Sequence, residues 1–460
     1  MPSANKTAFV LICVIVVMTT LAYGTVHQPT IALFYIGVAA LVILWSIDGL
    51  KSGMVRFSNS WLQIPLLAAA VYGLIQVIPL GSVTGAAGVS GIPRMISLDP
   101  ASTQVNAIHF LFLFFFAAVT FALIDSASRI ARIAALITVF GTVYAFYAIL
   151  QSVLSPDKIY GIYERAFASP FGSFVSRHNF AAYMEMTIAI PLGMMFAGAV
   201  PRDRRLLYGT AIALMGTALL LSGSRGGFVA LIAEVALMTM LTLRSGGVRA
   251  IGTKIALAAI LLITIIGGSL FVGGESSLTR VAETQNAGGA ASIDRSYIWG
   301  VTLEMIRSNM PFGVGLGAYG VAFTQLDTHN GTERVEQAHN DYLQITSDAG
   351  LVGLLIGGFF LFTFYKVGRE AIAVENTFRR GIAVGAVSGI FAILVHSAFD
   401  FVLHTTAISV LFIMLLALVT ASRRSYEDDS SEDERPHNRR GSRGTVAAIT
   451  SGRRSTSNSK

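Results

Sequence analysis

The stretch "EQAHNDYLQITSDAGLVGLLIGG" runs from Glu336 to Gly358. Its second half is a run of apolar and small residues, the composition of a membrane helix. Its first half sets His339 beside Asn340 and Asp341 at the mouth of that helix. Two readings of the polar cluster are open: a helix cap next to lipid headgroups, or a catalytic base held at the membrane surface. Which one applies depends on how the rest of the chain is arranged around it.

The composition is that of a membrane protein. Of 460 residues, 53% are hydrophobic and 13% are charged, where a soluble domain carries about 25% charged residues; the mean hydropathy is +0.65. The single cysteine, Cys13, lies in an apolar run, which excludes a disulfide within the chain and cysteine metal sites. The first apolar run follows only Lys6 and has no small-residue cleavage site, so it reads as a first span and not a removed signal. The net charge of +7 sits largely in short loops. Topology therefore explains it better than nucleic-acid binding.

A spanning helix needs about 20 apolar residues. Twelve segments qualify: 7–23, 30–47, 61–80, 104–124, 131–153, 179–200, 206–222, 226–243, 252–272, 342–365, 381–398 and 402–421. The expected fold is all-α and polytopic, with about 12 transmembrane helices. With the N-terminus inside, the inner loops hold 15 of the 33 lysines and arginines, the longer outer loops hold nine and the C-terminal tail holds nine. The positive-inside rule then places both termini in the cytoplasm. The chain divides into N-terminal spans (1–171), a central membrane region (172–421) that includes one large periplasmic loop (273–341), and a polar tail (422–460). The tail is rich in Ser, Arg, Asp and Glu and poor in aromatics, so disorder is expected there.

Function is expected on the outer face, where the long loops are. Within the largest, "SIDRSYIWGVTLEMIRSNMPFGVGLGAYG" reads as a helix capped by Asp294, with Ile298, Val301 and Met305 on one face, ended by Pro311 and the glycines. "GVGLGAYG" (Gly313–Gly320) follows no strand and reads as a flexible turn, not a nucleotide loop. Four polar clusters fall at outer helix N-termini: Arg177–His178–Asn179, Arg225, Arg295 and His339–Asn340. Free N–H groups and the helix dipole favour anions at such ends, and arginine's fork matches phosphate oxygens. Each also has a structural reading, as a headgroup anchor, a solvated residue or a cap. His396 and Asp400 of "HSAFDF" stand i,i+4, on one helix face, and either pair with each other or orient an acceptor. Glu185, Glu234 and Asp348 fall within spans as isolated acids.

Several stretches resemble one family, the bacterial O-antigen ligase and O-antigen polymerase superfamily of lipid-linked glycan transferases. They are "GSFVSRHNFAAYMEM" (172–186), "LLLSGSRGGFVALIAE" (219–234), "DRSYIWGVTLEMIRSNMPFGVGLGAYG" (294–320), "AHNDYLQITSDAGLVGLLIGG" (338–358) and "HSAFDF" (396–401). The resemblance covers residues 172–401; the first 150 residues match it only in hydrophobicity. It implies a GT-C-like membrane fold in the bacterial inner membrane. It also implies an inverting glycosyltransferase whose donor is a glycan on undecaprenyl diphosphate, presented at the periplasmic face. Arg225 and Arg295, with Arg177, would hold the diphosphate, and His339 would act at the acceptor hydroxyl. Asn340, Asp341, His396 and Asp400 would support it.

No Asp-x-Asp occurs in an outer loop, so a metal-independent site without cofactor is expected. The acceptor is another glycan if the protein is a polymerase, toward which the reading leans slightly, or lipid A core if it is a ligase. Membrane lipids and other polysaccharide-assembly proteins are the remaining candidate partners. A transporter or flippase is the competing class, but it calls for polar groups near the bilayer midplane.

Overall fold

The computed structural model describes residues 3–83, 92–156, 158–164, 169–243, 252, 259, 295–328 and 334–423. Apart from residues 252 and 259, the proposed span 252–272, the loop segment 273–294 with Asp294, and the tail from 424 lie outside the described residues, so those expectations stay as sequence readings.

The described residues form an all-α membrane protein whose only regular strands are a short antiparallel pair, Ser82–Val83 with Ile92–Pro93. The helices are α1 (Ser3–Leu21), α2 (Gln28–Ser52), α3 (Ile64–Gln76), α4 (Pro100–Leu123), α5 (Ala127–Leu154), α6 (Arg177–Phe196), α7 (Arg205–Leu221), α8 (Arg225–Leu243), α9 (Arg295–Asn309), α10 (Tyr319–Thr324), α11 (Asp341–Ile372), α12 (Thr377–His396) and α13 (Thr406–Ser422). Eight helices among the described residues are long and apolar enough to cross a membrane: α1, α2, α4, α5, α7 with its leading turn, α8, α11 and α12. Two of the proposed spans are shorter apolar helices, α3 with its leading turn and α13. The chain is thus multi-pass. Apolar side chains such as Leu33, Ile36, Ile43, Val139, Val143 and Phe146 point outward, which suits a lipid surround and would be costly in water.

At the centre lies α6. Every residue from Asn179 to Phe196 except Met195 is buried. Its closest partner is α12, and glycine explains the closeness: a Cβ added at Gly193 would stand 2.4 Å from the Gly385 Cα. Helices in lipid associate through such small-residue contacts because apolar burial gives no preference for protein over lipid tails. At the end of the bundle where α1 starts, Arg56 pairs with Asp125 at 2.8 Å, and buried Arg129 donates to Asn5 and to the Leu123 carbonyl. None of the candidate site residues belongs to this cluster.

The described part of the 273–341 segment forms a helical cap. Helix α9 buries Ile298, Thr302 and Met305, and joins α10 around Val314, Tyr319 and Phe323. The expected apolar face of the loop helix is therefore present and packs on protein. The glycine segment that follows differs from expectation: it is a pinned latch, not a flexible turn. The Val314 and Gly315 amides donate to the Ser347 and Asp348 carbonyls at 2.9 and 3.0 Å. The Gly317 amide donates to Asp348 Oδ2 at 3.1 Å, and the Leu316 amide to Gln76 Oε1 at 3.0 Å. The same Gln76 side chain donates to the Phe312 and Asp348 carbonyls. Nothing in the sequence marks Gln76, in α3, and Asp348, in α11, as the groups that satisfy these amides, because both lie on elements far away in the chain. The latch fits into α11 at Gly350, whose φ of +58° and missing side chain let the Pro311 carbonyl approach; a Cβ there would stand 2.2 Å from that oxygen.

Candidate active site

The latch and the α9 cap fix the backbone just ahead of α11. Trp299 Nε1 donates to the Ala338 carbonyl at 3.0 Å, and the Ala338 amide donates to Gln344 Oε1 at 2.7 Å. Asn340 caps α11, its Oδ1 accepting from the Tyr342 and Leu343 amides at 3.0 and 3.1 Å. Its Nδ2 donates to the Ala398 carbonyl at 3.0 Å. Between these anchors His339 adopts φ +51°, a left-handed conformation uncommon outside glycine and often found at functional sites. The capping task thus falls to Asn340, and the imidazole is directed elsewhere.

That direction is toward the turn joining α12 to α13. His339 Nδ1 lies 3.2 Å from Asp400 Oδ1, with the Phe401 ring edge-on at 4.9 Å. Asp400 is buried and gathers three elements. Besides His339 at the head of α11, Arg295 of α9 approaches its Oδ2 at 3.5 Å and His178 of α6 at 3.7 Å. Arg295 also donates to the Phe399 carbonyl at 2.8 Å. Burial by itself would raise the Asp400 carboxyl; the hydrogen bond from His339 and the charges of His178, His339 and Arg295 outweigh it and hold the carboxyl well below the ordinary carboxylate range. A permanent carboxylate on Nδ1 keeps the proton there and leaves Nε2 as the lone-pair edge of the neutral ring. Among the described residues nothing bonds to that edge, and 36% of the His339 side chain is open.

The fourth cluster joins through His178 and the start of α8. His178 Nδ1 lies 3.0 Å from Ser224 Oγ, and Ser224 precedes Arg225, the exposed first residue of α8. Two glycines let α8 come this close: a Cβ on Gly226 would stand 2.6 Å from the His396 ring and 3.3 Å from the Phe399 Cβ, and one on Gly227 2.7 Å from Ala181. Arg225 makes no hydrogen bond or ion pair with the described residues, so its guanidinium is available to an outside anion. Arg177 stands at the first position of α6 beside His178.

Two expectations need correction. His396 and Asp400 do not pair, because α12 ends at His396 and the chain then turns. His396 is fully buried and faces Glu185 of α6, with Nδ1 3.1 Å from Oε1, so Glu185 is not an isolated acid. Asp348 is likewise engaged, in the latch, whereas neither carboxylate oxygen of Glu234 has a partner among the described residues. Asp341 serves the fold: its Oδ2 accepts from Ser397 Oγ and the Val402 and Leu403 amides, and its Oδ1 meets His404 Nδ1 at 3.0 Å. It thereby shapes the turn that presents Asp400. In the sequence His178 shows only as part of a basic cluster, and nothing marks Ser224 or His404, since their roles depend on contacts 46 and 63 residues away along the chain.

This geometry is that of a histidine–aspartate pair beside arginines, and it falls largely within a stretch matching a known family: residues 210–357 match the family described as O-antigen ligase. The chain carries an O-antigen ligase domain. The match supports an enzymatic role in transferring lipid-linked glycans. It takes in Arg225, Arg295 and His339 and stops short of Asp400, while His178 precedes it; folding completes the site from both sides. No curated protein matches the chain in sequence. Among the described residues no group of three His, Cys, Asp or Glu is gathered to hold a metal ion.

Proposed function

We propose that the protein is an inverting glycosyltransferase of GT-C-like fold. It moves a glycan from undecaprenyl diphosphate to an acceptor hydroxyl at the outer face of the inner membrane, with both termini in the cytoplasm. The observation that carries the reading is the His339–Asp400 pair, with its Nε2 edge open and arginines at neighbouring helix ends. In the proposed step the acceptor hydroxyl donates its proton to His339 Nε2 as its oxygen attacks the anomeric carbon. The bond to the lipid diphosphate breaks, and the diphosphate leaves with the bonding electrons. The imidazolium formed is stabilised by the Asp400 carboxylate. Arg225 and Arg295, together with Arg177, offset the growing charge on the leaving group, a role that requires no metal.

The description of the matched family favours the ligase reading, with lipid A core as acceptor, over polymerisation toward another lipid-linked glycan. The surface glycans of a deletion strain separate the two. A ligase deletion accumulates full-length polymer on the lipid carrier, whereas a polymerase deletion leaves single repeat units.

A further inference from the structure

Behind the 397–405 turn lies a second site. A cavity of about 460 Å³ is walled by Ser397, Leu403 and His404 of the turn together with α3, α4, α11 and α13; neither His339 nor Asp400 is in its wall. Its size is that of a small-molecule site. Most of its wall is hydrocarbon, including Leu66, Phe110, Leu354, Phe360 and Phe412. Along α11, Gly357 and Gly358 leave open space where side chains would stand.

Among the polar residues of the wall, which include Asn106, Gln344 and Ser409, are two imidazoles, His404 and His109. His404 Nδ1 is held by Asp341 at 3.0 Å, and His109 Nδ1 by the Tyr35 hydroxyl at 3.1 Å. Among the described residues nothing bonds to Nε2 of either ring. His404, in the turn before α13, keeps 39% of its side-chain surface open. Asp341 thus links the two sites: its carboxylate holds His404 on the cavity side and the turn that carries Asp400 on the other.

The charge of the wall selects the ligand. No lysine or arginine lines the cavity, whereas Asp341 and Asp348 do. A diphosphate would meet two carboxylates there, and any positive charge on His404 is already matched by Asp341. A hydroxyl both donates and accepts, so it suits two imidazole edges in any protonation state. We propose that this cavity binds an uncharged lipid alcohol, with the hydroxyl between His404 and His109 and the hydrocarbon chain along α11. Its occupant would brace the turn that presents Asp400. The donor diphosphate belongs to the arginine side.

The test is photolabelling of the full-length protein in nanodiscs with a long-chain diazirine alkanol and, separately, the diazirine alkyl phosphate of the same length. It needs no glycan donor, so its outcome is separate from that of the transferase reading. The alkanol should label α11 around residues 353–361, the phosphate far less. Gly357→Phe fills open space in the cavity and should abolish that labelling. His109→Phe keeps a ring but removes the nitrogen, and should weaken labelling about tenfold, the worth of one buried hydrogen bond. Leu354→Trp supplies a second obstruction should Gly357→Phe fail to give monodisperse protein. Equal or stronger labelling by the phosphate, or alkanol labelling of α11 that survives both obstructions, overturns the proposal.

Discussion

Replacing Asp400 with asparagine tests the dyad with the least change in shape. The amide oxygen can still accept from His339 Nδ1, so the ring's orientation is kept while the negative charge is lost. The charge matters once His339 has taken the acceptor's proton. At 3.2 Å a carboxylate and an imidazolium attract by about 5 kcal/mol at an effective dielectric constant near 20. His339 is more than a third open, and solvent screening reduces the figure to roughly 2–3 kcal/mol. That corresponds to about a 10²-fold loss of turnover. Because the interaction strengthens only as the imidazolium forms, the loss should fall on kcat and leave KM nearly unchanged. The assay is the initial rate of glycan transfer in detergent from purified lipid-linked donor. A variant within about threefold of wild-type turnover, or one that loses only affinity, refutes the assignment of Asp400 as partner of the base, since loss of a general base's contribution is on the order of 10²–10⁴.

Further outcomes follow from the same geometry. Arg225→Ala should lower kcat/KM about 10²–10³-fold, the effect of removing one preorganised contact to developing charge, with the protein still inserted in the membrane; unchanged kcat/KM would remove Arg225 from the site. Arg295→Lys should recover only part of the loss in Arg295→Ala, because lysine cannot hold the Phe399 carbonyl and a phosphate with one fork; the three rates side by side decide it. Gly350→Ala should cost about 1–3 kcal/mol in backbone strain before the clash with Pro311 is counted, read as a lowered thermal unfolding midpoint and poor yield. The pH dependence of stability has a definite sign. Asp400 is depressed in the folded protein, so its contribution is complete above the unfolded carboxyl's pKa of about 4 and is lost as pH falls toward the lower native value. The gap in unfolding midpoint between wild type and Asp400→Asn should therefore be level at neutral pH and narrow only below about pH 4.

The helices were legible because lipid imposes a simple rule, in which every backbone group is satisfied within its own segment and the segment is apolar. Helix α6 is the instructive case: Asn179 and Glu185 interrupt its apolar run, yet it forms the buried centre, where Asn179 donates to Thr405 at 2.7 Å and Glu185 meets His396. The four polar clusters were legible as helix ends, and folding brings His178, Arg295 and His339 to one carboxylate. The identity of that carboxylate was not. Periodicity put Asp400 on the face of His396, but helix α12 stops at His396, and the partner is set by where the next turn meets α11 and α9. The latch escaped for a similar reason, since glycines signal a bend without naming the Gln76 and Asp348 groups that lock it.

The central claim is that this protein forms a glycosidic bond and releases a lipid diphosphate. The most direct measurement reconstitutes the purified protein in liposomes with a lipid-linked glycan donor and acceptor, and counts new linkages against free lipid diphosphate. Equal amounts of both, abolished in His339→Ala and unchanged by chelator, are the predicted result. Movement of the glycan-lipid across the bilayer with no linkage formed would contradict the account and favour a transporter.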